Sequence, residues 1–174
     1  GSVILHAGNA FDPNTKNRAG QGGSIGIRAG SSSGATGGSV SIRGGSSATS
    51  ETGSVTIGTA ASTGLGATGS VLIATGSAVH DAAGDITLST GTSETGEGGA
   101  VVLRVGSSTG AVGGDVILNA GTSELMTGGS VTLTTGSSDQ TSSGDLSIQT
   151  ANAGVKGSSG AVQISTGTTS EGAS

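Results

Sequence analysis

Apolar residues recur in this chain at a fixed place within a repeated phrase. Gly129-Ser130-Val131-Thr132-Leu133-Thr134-Thr135-Gly136-Ser137-Ser138 is the clearest copy. The leading glycines fall at Gly1, Gly23, Gly38, Gly53, Gly69, Gly84, Gly99, Gly114, Gly129, Gly144 and Gly160. Apart from one longer early step, these copies follow one another every 15 or 16 residues. Counting each leading glycine as position 1, positions 3 and 5 are apolar: Val40 and Ile42, Val55 and Ile57, Val101 and Leu103, Val131 and Leu133. A spacing of two puts both side chains on one face of a β-strand, and the β-branched residues suit that conformation. Helical spacing is absent, and glycine at this density opposes a helix.

A 15-residue period is too short for a strand with a crossover helix. It predicts an all-β fold, a β-solenoid (single-chain parallel β-helix) of about eleven 15-residue coils, with handedness left open. Ten steps of about 4.8 Å would give a stack on the order of 50 Å. An antiparallel meander is the competing arrangement, disfavoured by the constant phase of the phrase. The whole chain, residues 1–174, reads as one array with an inserted loop at 9–22, where Phe11 either sits in the loop or covers one end of the core. The phrase is already under way at Gly1 and runs on to Ser174, so a piece of a longer repeat protein is expected, with coil ends open to association.

The remaining positions refine this picture. Position 8 is Gly or Ala, consistent with a turn of positive φ or a close backbone approach. Position 10 is small and mostly hydroxylated (Ser32, Ser47, Ser62, Ser93, Ser108, Ser123, Ser138), which predicts a corner or inward-pointing hydroxyl bonded to nearby backbone. Positions 11–14 vary freely, as a solvated corner would. The thin core is expected to need backbone ladders between stacked copies, because two large apolar residues per coil cannot alone offset the ordering of fifteen residues.

Composition then removes function classes. With 37 Gly, 1 % aromatics and 10 % charged residues, the chain lacks the material of an ordinary globular core. The net charge of −5 and the ordered placement of the apolar residues argue against a simple disordered linker. The six Lys and Arg are too few for a nucleic-acid partner. Cysteine is absent, which excludes disulfides and thiolate metal sites, and no apolar run spans a bilayer. There is no N-x-[ST] sequon.

Candidate chemistry is sparse. Gly64-Leu65-Gly66-Ala67-Thr68-Gly69 has dinucleotide-fingerprint spacing, but a Val-x-Ile segment follows where a helix is required. Asp85, Asp115 and Asp145 share position 2 on alternate copies, roughly 9.6 Å apart in a stack, too far for two to share a calcium ion. His6 and His80 are isolated, and Arg28, Arg43 and Arg104 share position 6. No catalytic residue, metal ligand or cofactor is assigned, and an enzyme is not expected.

The surface feature that remains is the step from position 7 to position 9: Thr75 and Ser77, Thr90 and Thr92, Thr135 and Ser137, Thr166 and Thr168. These hydroxyls either satisfy the turn or form a ranked array on one face. The array resembles the Thr-x-Thr ranks of insect ice-binding β-helices, although it lapses at Ala29, Gly44, Val105 and Ala120 and lacks their disulfides. The Gly-Ser-Val-Thr-Leu-type units also resemble the Gly/Ser/Thr-rich short-repeat β-solenoid arrays of secreted and surface proteins of algae and related protists. That resemblance implies a structural or adhesive extracellular role, as the shaft of a fibre, cell-wall element or surface appendage. The expected partners are neighbouring modules or copies joined end to end, with extracellular polysaccharide or ice as further candidates. Ice binding through the Thr/Ser array is the alternative function.

Overall fold

In the computed structural model, the structure describes residues 1–9 and 21–169. Most of the expected 9–22 loop, including Phe11, lies outside the described residues. The chain divides into two units, Gly1–Thr87 and Leu88–Ser174.

The 15-residue period is preserved in the backbone. Bends recur at 33–35, 48–50, 64–66, 79–81, 94–96, 109–111, 124–126 and 139–141, followed by a turn at 155–156. Between them the chain runs with neither helix nor bend, so each Val-x-Ile/Leu segment is locally extended.

The β-solenoid does not form. Among the described residues there is no β-strand and no helix, and no segment stacks on its counterpart in the next phrase through a ladder of backbone hydrogen bonds. Neither β-solenoid nor β-helix describes the chain, which is a coil-like succession of extended segments and closed loops. The expected apolar core is absent as well, with no buried hydrophobic residue among those described. Val131 and Leu133, expected to form a thin core, are 60 % and 66 % exposed.

The total accessible surface is 17472 Å² for 16.0 kDa. A compact monomer of that mass exposes roughly 7,400 Å² and a fully unfolded chain about 23,000 Å². Most of the surface that a globular fold would hide therefore stays in water. The cause is compositional. Two large apolar residues in fifteen offer little area to bury, while frequent glycine makes ordering the backbone expensive. A solenoid would have to draw the difference from continuous ladders, and each phrase instead closes its bonds locally.

Local closure occurs at a neck joining position 8 of one phrase to the leading glycine of the next. The N–H groups of Gly23, Gly38, Gly53 and Gly129 donate to the carbonyls of Gly8, Gly30, Gly45 and Gly121, each at 2.8 Å. Gly144 donates to Gly136 at 3.0 Å. The Gly8–Gly23 bond shows that the long early connection is fastened at the same neck as its shorter counterparts.

Inside six of the loops, the position-10 serine fixes the bend by accepting a backbone N–H, while Ser62 instead donates to the Gly64 carbonyl at 3.4 Å. The Ser32 hydroxyl accepts from the Ala35 N–H at 3.0 Å, Ser47 from Ser50 at 3.0 Å, and Ser93 from Gly96 at 2.9 Å. Ser108, Ser123 and Ser138 repeat the bond to Ala111, Met126 and Thr141, each at 3.0 Å. Such short-range bonding is what makes serine a turn former. These serines are exposed, so they cap a bend and do not point inward. Where alanine replaces the serine, other groups take over: Asp81 Oδ1 accepts from the Ala82 N–H at 2.8 Å beyond Ala78, and Gly157 N–H donates to the Gly154 carbonyl at 3.3 Å beyond Ala153.

Candidate functional site

The neck is the most constructed feature of the repeat, and the residue at position 7 controls it. Ala7, Ala29, Gly44 and Ala120 precede the four 2.8 Å necks, and they are the only described residues that are partly buried. Here the two backbones touch. A Cβ added to Gly38 would lie 3.1 Å from the Gly30 amide nitrogen and 3.3 Å from Ala29 Cβ. One added to Gly44 would overlap the Gly53 carbonyl oxygen.

Where position 7 is β-branched, the side chain takes the place of the backbone bond. Thr59, Thr75, Thr90, Val105 and Thr150 precede leading glycines that make no backbone bond across the neck. Their branches face the glycine: a Cβ on Gly69 would sit 3.5 Å from Thr59 Cγ2, and one on Gly114 would sit 2.6 Å from Val105 Cγ1. Val105 behaves like the threonines, so the effect is steric. Thr135 is intermediate, since its neck keeps a bond, but at 3.0 Å.

The same geometry places the predicted Thr/Ser residues. Thr75, Thr90 and Thr135 stand at the necks beside Gly84, Gly99 and Gly144. The Thr90 hydroxyl donates to the Gly99 carbonyl at 3.1 Å, a direct case of a hydroxyl satisfying its own turn. Ser77, Thr92, Ser137 and Thr168 lie one residue beyond position 8, at the loop entrance, and Thr166 lies at position 7 of the last phrase. All eight are exposed. They belong to successive loops, and no backbone ladder joins the phrases into a common face.

No family model, curated protein or solved structure matches the chain. Its reading rests on the geometry of the repeat itself.

The sequence placed the glycine constraint at position 8, and the structure moves it to position 1. A Cβ at Gly30, Gly45, Gly121 or Gly136 would meet open space, in keeping with Ala60 and Ala151 at that position. None of the described glycines adopts a left-handed φ. At the leading glycines Gly23, Gly38, Gly53, Gly99, Gly114 and Gly129 an added Cβ would come closer than ordinary contact, at 2.6–3.2 Å. The presence of the leading glycine in all eleven copies was the available signal.

Other sequence candidates stay apart from a site. Gly64–Gly69 contains the bend at 64–66 and opens no helix. His6, His80, Asp85, Asp115 and Asp145 are exposed, and among the described residues no three His, Asp or Glu side chains gather as a metal site would require. No described helix is long and apolar enough to cross a membrane.

Proposed function

We propose that this chain is a non-catalytic structural or adhesive repeat of the extracellular surface, working as part of a fibre, cell wall or appendage. One observation carries the reading: every phrase presents its Val/Ile/Leu pair to solvent, at intervals of 15 or 16 residues after the longer first step. Val40 and Ile42 are 52 % and 67 % exposed, and the later pairs range from 49 % at Val55 to 90 % at Ile164. These pairs are the apolar groups through which such a chain would make contacts. Repetition favours many weak contacts over one strong site, which is the logic of avidity.

Ice binding receives less support. It needs ranked hydroxyls held on a common face, and the position-7 threonines are engaged at loop necks, Thr90 through a hydrogen bond to Gly99.

Immunogold labelling of the cells that make the chain, with stepwise extraction, tests the proposal. Label concentrated on external fibres or wall, resisting extraction by salt, is the expected result. A diffuse, freely extracted intracellular pool would overturn it.

A further inference from the structure

Within the extended segments, positions 2–6, charge is segregated. The acidic residues there are Asp85, Asp115 and Asp145, all at position 2, and the basic residues are Arg28, Arg43 and Arg104, all at position 6. The other charged residues of the described chain lie in the loops. Each segment also carries its two large apolar residues at positions 3 and 5, exposed and without a backbone partner.

These two patterns share one solution. In an antiparallel pair centred on position 4, position 3 faces position 5, so Val or Ile meets Ile or Leu across the pair. The same register sets position 2 opposite position 6, so Asp meets Arg. A parallel in-register pair would stack Asp on Asp and Arg on Arg, which is destabilising. We infer that the occupant of the Val-x-Ile/Leu segments is a second copy of this chain, added antiparallel in this register. The inference rests on the structural reading above and names the partner that reading leaves open.

The arrangement is specific. When the segment beginning at Gly84 faces that beginning at Gly99 of the second copy, Asp85 meets Arg104 and Ile86 meets Leu103. When the Gly38 segment faces the Gly144 segment, Arg43 meets Asp145, and Val40 meets Ile148. A twofold relation makes each contact twice, because what the first copy offers the second returns. Net charge is low for the chain's length, so long-range repulsion does little to oppose the association.

The chain has no cysteine, which makes a direct test available. Ser39→Cys and Gln149→Cys variants of the full chain, both at exposed positions, are mixed and mildly oxidised, and the disulfides are mapped by mass spectrometry. Residues opposite each other in an antiparallel pair are close enough for a disulfide, so the 39–149 link is expected to dominate. In parallel, sedimentation compares the Arg43→Glu/Arg104→Glu and Asp85→Arg/Asp145→Arg double variants. Each alone is expected to self-associate at least about tenfold more weakly than the natural chain, and their mixture to associate again, since every lost attraction is restored between unlike copies. Predominant 39–39 and 149–149 links, no association of the natural chain at high concentration, or double variants that associate unchanged would each overturn the inference. Failure here with surface labelling intact would leave the structural role standing and remove only the self-pairing partner.

Discussion

The neck at Gly30–Gly38 and the neck at Gly91–Gly99 do the same job by different means. At the first, Ala29 is small enough for backbone to meet backbone at 2.8 Å. At the second, Thr90 stands beside Gly99, and its hydroxyl reaches the Gly99 carbonyl at 3.1 Å where no backbone bond crosses the neck. The branch at position 7 separates these two necks, with Thr135, whose neck keeps a bond at 3.0 Å, between them. In the sequence, Ala29, Gly44 and Ala120 look like gaps in a rank of threonines. In the structure they are the tightly closed necks, and Val105 shows that the distinction follows side-chain shape and not polarity.

The comparison can be broken most forcefully at Gly44. Gly44→Val puts a β-branched side chain at the Gly45–Gly53 neck, where a Cβ already meets the Gly53 carbonyl, so that neck should open completely. Hydrogen exchange of the Gly53 amide should accelerate by up to about tenfold, the worth of a net hydrogen bond of roughly 0.5–1.5 kcal/mol. Unchanged protection would show that the bond is not what holds the neck. Ala120→Val comes next: it copies the Val105 arrangement at the Gly121–Gly129 neck, and the Gly129 amide should lose most of its protection in the same measurement.

The reverse exchange sharpens the contrast. Thr75→Ala removes the branch facing Gly84, and the Gly84 amide should gain a bond to the Gly76 carbonyl, slowing exchange by a few-fold. Thr90→Ala should gain less, because it also loses the hydroxyl bond to Gly99. The smallest effect is expected inside the loop. Ser47→Ala removes the acceptor for the Ser50 amide, and at this exposed site the loss should be about 0.5 kcal/mol, seen as a shifted and more temperature-sensitive Ser50 amide resonance. The neck bond between Gly45 and Gly53 should persist.

Much of the local structure was legible in the sequence, and the reason is physical. The 15-residue period of the bends was readable, but the strands predicted from alternation at positions 3 and 5, as in Val131-x-Leu133, do not form. Serine at position 10 reports a local bond, and Ser138 makes it with Thr141. Alternation says nothing about the partner of a strand. The same five residues suit a coil of a solenoid, a segment paired with another chain, or a segment left in water, and only the supply of buried area separates them. That supply is thin, and it outweighs the regularity of the period. The role of position 7 was obscured for a related reason. Thr75, Thr90 and Thr135 attract notice as hydroxyl bearers, whereas the neck responds to their β-branching.

The Gly8–Gly23 neck has a consequence for how such a chain can change. It encloses residues 9–22, twice the length enclosed by Gly30–Gly38, yet both fasten at 2.8 Å. Doubling a flexible loop costs only about 0.6 kcal/mol in closure entropy. Each neck is therefore a splice point: new sequence entering between positions 8 and 1 lengthens a tether without shifting the phase of the segments on either side. A lineage could diversify what these loops display, one at a time, while the interval between apolar segments stays under separate selection.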